Sequence, residues 1–334
     1  MPTVRRSRTS ATLLDTSDAT ESDILVLDKL ASGGTVVLAA AAAGANTLQT
    51  VQIKDAATGT ADVLNLVAQA SSADVDFGTL TAADVETVNL TASDIDMDDD
   101  NDDTSNEAVD DAVETITITL AAEKATKVDL GTSNANLSLS LTAAALTTVD
   151  GSSMTGALTL NANTTLALTV TGGSGNDVLS ATGSGDKLNG GAGNDTLTGA
   201  DLTVLTGGAG NDTFVINKPS NVNSYSPIAD LAAGDVIDLD AGNAGTVVFT
   251  KSAITLGDTA VFQDFANAAV NALGTDTNDA AWFQFAGNTY IVQSGNNTAG
   301  NDFVNGSDSI IKIVGLVNLS SASYNQTIGT LEIV

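Results

Sequence analysis

Short runs in which apolar and polar residues alternate recur from about Ile24 to Val170. They include Leu48-Gln-Thr-Val-Gln-Ile53, Val85-Glu-Thr-Val-Asn-Leu90, Val113-Glu-Thr-Ile-Thr-Ile118, Thr126-Lys-Val-Asp-Leu130, Leu137-Ser-Leu-Ser-Leu141, Ala157-Leu-Thr-Leu160 and Leu166-Ala-Leu-Thr-Val170. A period of two, rich in β-branched residues, predicts strands with one buried face. Gly, Asn and Asp fall between the runs and suit turns. The likeness of Val85–Leu90 to Val113–Ile118 suggests repeated rungs at uneven spacing, as in a parallel β-helix with loops of varying length. A β-sandwich is the alternative reading. The low aromatic content, 4%, favours narrow coils filled by Val, Leu, Ile and Ala. Ala39 to Ala43 is a candidate helical cap.

The pattern changes along the chain and divides it into four parts. Residues 1–23 read as a polar, flexible tail. Residues 24–171 read as a Thr/Val-rich β-solenoid. Residues 172–242 hold a glycine-aspartate tract and a segment that closes it. Residues 243–334 read as a small mixed domain: Ala260 to Leu273 has a helical amphipathic pattern, and Trp282–Phe285, Thr289–Val292 and Ile310–Val314 read as strands. The expected fold is therefore all-β, a parallel β-helix or β-roll with a small mixed C-terminal domain. One acidic run, 94–111, stands apart. Asp94, Asp96 and Asp98 have the alternate spacing of an EF-hand loop start, but the turn glycine and closing Glu are missing. A solvated acidic loop is the simpler reading.

Composition narrows the chemistry. Asp plus Glu number 41 against 11 Lys plus Arg, giving a net charge of −30. Such a chain repels nucleic acid and anionic membranes. Divalent cations are the natural neutralisers, and carboxylates suit hard ones. There is no Cys and no His. Disulfides, Cys/His zinc sites and nucleophile systems built on His are excluded. The longest apolar run, Val36 to Ala43, is far short of the roughly 20 residues that a spanning helix needs. Arg5, Arg6 and Arg8 are followed by too little apolar sequence for a signal peptide. An exported chain of this kind is expected to leave by a route that reads no N-terminal signal.

The tract at 172–215 carries the sharpest motif. Gly172-Gly-Ser-Gly-Asn-Asp-Val-Leu-Ser180, Gly190-Gly-Ala-Gly-Asn-Asp-Thr-Leu-Thr198 and Gly207-Gly-Ala-Gly-Asn-Asp-Thr-Phe-Val215 each fit G-G-x-G-x-D-x-U-x, with U apolar. Glycines permit a positive-φ turn and let carbonyls converge. The Asp supplies a carboxylate, and the apolar residue packs the next strand. Between the first two matches, Asp186 and Leu188 keep register while the glycines shift. The stretch 199–206 is one residue short, which by simple counting puts Val204 where Asp belongs. A flexible glycine-rich linker would not keep Asp and Leu/Phe in such strict register.

These residues resemble the RTX family of type I secreted proteins. The resemblance implies that two nonapeptides form one coil of a parallel β-roll, with Ca²⁺ between turns stacked on the same edge. It places ligands at Gly173, Gly175, Asp177, Asp186, Gly191, Gly193, Asp195, Gly208, Gly210 and Asp212. The perfect units fall on one edge, so two sites are expected, Asp177 with Asp195 and Asp195 with Asp212, and the opposite edge is expected to be poor or empty. Ile228-Ala-Asp-Leu-Ala-Ala-Gly-Asp-Val-Ile-Asp-Leu239 is similar to the segment that closes such rolls. There Asp230 and Asp235 either complete a terminal ion site or belong to a turn and strand.

The stretches Leu146–Leu160, Ala281–Val292 and Asp308–Leu319 look like RTX-type S-layer proteins of Gram-negative bacteria. That implies a secreted, cell-surface structural protein that self-associates into an array, folds on Ca²⁺ outside the cell and has no enzymatic role. A type I exporter is the implied partner in secretion, read from the end Leu331-Glu-Ile-Val334, and cell-surface polysaccharide is a candidate partner. An RTX adhesin or matrix protein is the second reading. A β-helix polysaccharide-modifying enzyme is the third, and it is disfavoured by the scarcity of basic residues.

Overall fold

The structure is a computed structural model that describes residues 10–13, 25–39, 49–53, 58–70, 74–95, 113–216, 225–239, 248–273, 279–295, 302–304, 307–325 and 329–334. The chain divides into two compact units, Met1–Leu179 and Ser180–Val334.

Unit 1 is a parallel β-solenoid of two sheets. One contains β1 (Ser10–Leu13), β3 (Gly34–Ala39), β5 (Val63–Ala70), β7 (Thr87–Asp94), β9 (Lys127–Asp129), β11 (Thr148–Asp150) and β13 (Thr169–Thr171), paired in that order. The other contains β2 (Leu25–Leu30), β4 (Gln49–Ile53), β6 (Val75–Ala83), β8 (Thr115–Ala121), β10 (Asn136–Thr142) and β12 (Leu158–Asn163). Every pairing is parallel. A sandwich would be antiparallel, so the solenoid reading holds. The chain passes from one sheet to the other and back, and each return adds a coil.

The alternation has the expected consequence. β5 and β7 bury every second residue, among them Leu64, Leu66, Val88 and Leu90. Ile116, Ile118, Leu137 and Leu139 do the same in the facing sheet. Val88, Val128, Val149 and Val170 form one column by direct register. From Val128 onward its members lie 21 residues apart. The uneven spacing seen in the sequence arises because the runs alternate between two sheets. Outward residues form their own ladder: Asn89 donates to Asn65 at 2.8 Å, and Asn65 to the Gly33 carbonyl at 2.8 Å.

Three expectations meet the structure here. Ser10–Leu13, inside the expected tail, pairs with β3 as a strand. Ala39 ends β3, and the remainder of the expected helical cap, 40–43, lies outside the described residues. Asp94 closes β7, buried and paired with Ala70, and accepts the Glu114 N–H at 3.4 Å. The rest of the acidic run, through 111, lies outside the described residues.

β14 (Val178–Ala181) crosses the unit boundary. In unit 2, β15 (Lys187–Ala192), β17 (Val204–Ala209) and β19 (Pro227–Ile228) form one parallel sheet. β16 (Thr196–Gly199), β18 (Thr213–Ile216) and β20 (Val236–Asp238) form a second. The coils of the glycine-aspartate tract are shorter, with Leu188 to Leu205 and Leu197 to Phe214 each 17 residues apart in register, while the closing steps, Leu205 to Ile228 and Phe214 to Ile237, are each 23.

The end of unit 2 turns antiparallel. β21 (Ala280–Phe285), β22 (Asn288–Gln293) and β23 (Ser309–Ile313) form a meander joined to β19, and β24 (Ser323–Asn325) and β25 (Thr330–Glu332) join β20. Ala286 and Gly287, both at positive φ (48° and 79°), make the two-residue turn between β21 and β22, as primed hairpin turns require. The helix expected over 260–273 forms as α1 (Phe262–Ala272), and Asp264 accepts the Val261 N–H at its start at 2.8 Å. Its Phe262 and Phe265 pack on Phe283, Phe285 and Tyr290.

Phe283 is fully buried at the centre of this cluster. Phe283→Ala is expected to destabilise the calcium-saturated protein by about 3–5 kcal/mol, measured by guanidinium unfolding.

Candidate calcium site

In unit 2 the register stacks the repeat turns. Thr196, Thr213 and Val236 are aligned across β16, β18 and β20. The residues just before them, Asp195, Asp212 and Asp235, therefore form a column along one edge. All three are almost completely buried, at 1, 1 and 2% exposure. The Asp195 N–H donates to Asp212 Oδ1 at 2.9 Å, and the Asp212 N–H donates to Asp235 Oδ1 at 2.9 Å. Each carboxylate thus holds the turn of the neighbouring coil.

Glycine is obligatory in these turns. Gly191, Gly193, Gly208 and Gly210 sit at φ between 105° and 137°, a region that side-chain-bearing residues rarely adopt. Gly191 aligns with Gly208, and a Cβ on Gly208 or Gly210 would collide with the carbonyl oxygen of Gly191 or Gly193. A Cβ on Gly190 or Gly207 would collide with Oδ2 of Asp195 or Asp212. Carbonyl and carboxylate oxygens crowd into spaces left only by missing side chains.

The opposite edge is different. Lys187 aligns with Val204, and Leu205 with Ile228, so Asp186, Thr203 and Ser226 stack there. Counting placed Val204 at the Asp position; the structure places Thr203 there. The missing residue is absorbed in the turn before it, where Leu202 takes a positive φ of 62° and the Thr203 N–H returns to the Ala200 carbonyl at 3.2 Å. Asp186 and Thr203 are fully buried. One edge therefore carries three carboxylates, and the other carries one carboxylate followed by two hydroxyls.

The closing segment is a turn followed by β20, and both of its acids are engaged. Asp230 accepts the Gly207 and Gly208 N–H groups at 3.0 and 2.9 Å. Asp235 also accepts the Ala232 N–H at 2.7 Å. The C-terminal strand seals the same place, with the Ile333 N–H on the Asp235 carbonyl and the Gly234 N–H on the Ile333 carbonyl.

In unit 1, Asp177 is 1% exposed and accepts from Leu158 and Gly173, both at 2.7 Å. Gly173 and Gly175 lie outside the left-handed region, so this turn differs in backbone from the two later ones. Each backs onto the coil below it: a Cβ on Gly173 would meet the Met154 carbonyl, and one on Gly175 the backbone of Ala157. The expected pair Asp177 with Asp195 takes one residue from each unit and remains a proposal.

One contributor was missed in the sequence. Asn194 Oδ1 accepts the Asn211 N–H at 2.8 Å, so the residue before Asp195 also ties its coil to the next. The available signal was that this variable position is Asn in all three matches.

Burial holds the Asp212 carboxyl above the usual range; the Asp195 N–H opposes this, and the charges of Asp235 and Asp230 add to it. Burial likewise raises Asp177, against the N–H groups of Leu158 and Gly173. Among the described residues, no group of three or more acidic side chains is placed to hold a metal ion by itself. A cation here must be held by carboxylates together with carbonyl oxygens. That all-oxygen donor set suits a hard ion such as Ca²⁺.

Fold and site together define a calcium-binding parallel β-roll. Residues 169–201 and 204–215 match the family described as RTX calcium-binding nonapeptide repeat (4 copies). No curated protein matches the chain. The repeats bind Ca²⁺.

Two outcomes follow. Gly208→Ala forces a side chain into a positive-φ site facing the Gly191 carbonyl, and it should raise by tenfold or more the calcium concentration needed for folding, as followed by circular dichroism. Asp177 and Asp212 have folded-state pKa values above that of an unfolded Asp, about 3.9. Their contribution to stability is full below that value and is lost as pH rises through the raised values. Melting in EGTA should therefore occur at a higher temperature at pH 5 than at pH 7. With excess calcium the order should reverse, because ion binding needs the ionised form.

Proposed function

We propose that this chain is a secreted structural protein of the cell surface, an S-layer or similar array subunit that folds and self-associates outside the cell on binding Ca²⁺. The observation that carries this reading is the buried column Asp195, Asp212 and Asp235. A chain of net charge −30 that buries stacked carboxylates gains its folded state from cations. Low calcium would keep it unfolded and exportable, and external calcium would drive folding. An ion that binds only the folded state stabilises it by about 2.7 kcal/mol at a hundredfold excess over its Kd.

In this reading Asp195 and Asp212, with Gly191, Gly193, Gly208 and Gly210, hold one ion. Asp177, with Gly173 and Gly175, is a candidate ligand for a second. Asp230 and Asp235 close the column, and Asp186 stands on the weaker edge. Residues 330–333 seal the column, so in this reading they order only when the roll folds, as a segment read by a type I exporter in its unfolded state would. No described helix is long and apolar enough to cross a membrane. Self-association, with cell-surface polysaccharide as a candidate anchor, is the surface placement that this reading proposes. The likeness of residues 146–160, 281–292 and 308–319 to S-layer proteins favours an array over an adhesin.

Electron microscopy of the purified protein with millimolar calcium and with EGTA tests this. Sheets or filaments that form with calcium and dissolve on chelation are expected. Monodisperse particles in both conditions would overturn the array reading in favour of an adhesin.

A further inference from the structure

Asp62 repeats, far from the matched repeats, the arrangement that marks Asp195 and Asp212. It stands immediately before β5, as those residues stand before β16 and β18. It is buried, at 9% exposure, and its Oδ2 accepts no hydrogen bond from any described residue. That oxygen lies over Gly59 of its own turn, where a Cβ would strike it and come within 2.9 Å of Asp62 Cγ. The corresponding distances to Cγ are 2.6 Å at Gly190 for Asp195 and 2.7 Å at Gly207 for Asp212.

The next coil supplies a second carboxylate. Val63 aligns with Thr87, so Glu86 stacks on Asp62. Glu86 Oε2 accepts the Asp62 N–H at 2.8 Å, and the Asp62 carbonyl accepts the N–H groups of Glu86 and Thr87, both at 3.1 Å. This is the step seen from Asp195 to Asp212, with Glu in place of the second Asp. The turn, Thr58-Gly-Thr-Ala-Asp62, is no nonapeptide and lies outside the residues that match the repeat family.

We propose that Asp62 and Glu86 form a Ca²⁺ site in the upstream solenoid, separate from the glycine-aspartate repeats and independent of the array reading. A buried carboxylate oxygen without a donor requires a cation or a proton. The nearby ammonium of Lys124 is exposed and bonded to Asp84, with Glu86 only a weaker influence on it. A hard divalent ion, completing its shell with water, satisfies both Asp62 Oδ2 and the half-exposed Glu86.

The test is calcium stoichiometry of the full chain by equilibrium dialysis against Ca²⁺ alone, for wild type, Asp62→Asn, Gly59→Ala and Glu86→Gln. Asp62→Asn and Gly59→Ala are expected to bind one ion fewer per chain than wild type while the calcium-induced circular dichroism change of the repeats persists. Glu86→Gln is expected to weaken one ion by tenfold or more. In EGTA, Asp62→Asn should melt above wild type, and in calcium below it. Equal ion counts and affinities in all four proteins, or identical melting responses to calcium in wild type and Asp62→Asn, would overturn the site. Should neither Asp62→Asn nor Gly59→Ala fold, Glu86→Gln decides: an unchanged count and affinity overturns the proposal.

Discussion

A backbone N–H that reaches one coil along the stack to a buried carboxylate is the interaction on which the roll depends. It recurs from Asp195 to Asp212 and from Asp212 to Asp235. It locks the coils in register, but only by burying negative charge. A hydrogen bond to a charged group contributes about 1.5–3 kcal/mol, and burying an ion costs several. The N–H groups alone therefore leave a deficit, and calcium offsets it. The same balance explains why the carboxylates sit over glycines: an ion must reach oxygens that a side chain would cover.

The coil geometry follows from this edge. In the later part of unit 1 the coils run 21 residues, with Thr- and Ser-rich turns tied by side-chain hydrogen bonds such as Thr147 to the Thr126 carbonyl. Between β15 and β17, and between β16 and β18, the glycine turns shorten the coil to 17. A tighter turn brings stacked carbonyls and carboxylates closer, which suits an ion and suits nothing apolar. The antiparallel strands β24 and β25 end the stack by covering β20, and the residue after β25, Ile333, bonds the backbone of Asp235 itself.

Much of this was legible in the sequence because each level repeats a simple rule. Alternation gave the strands, and the G-G-x-G-x-D spacing gave the turns. The irregular rung spacing hid the two-sheet arrangement, since Val51 and Ile116 belong to one sheet and Val88, Val128 and Val149 to the other. A one-residue deletion was misplaced by counting, because backbone at Leu202 absorbed it rather than the strand. The Asn194 ladder was invisible to a motif that calls its position variable. Asp62 was invisible because its partner Glu86 is distant in sequence and its turn carries a single glycine.

The central claim is that ions hold the carboxylate column closed. Native-state hydrogen exchange at the amides of Asp195, Asp212 and Val236 tests it most directly, because these N–H groups close the stack. The account predicts protection in calcium that falls by a hundredfold or more in EGTA, while amides of β8 and β10 change far less. Equal protection of the three column amides with and without calcium would contradict it.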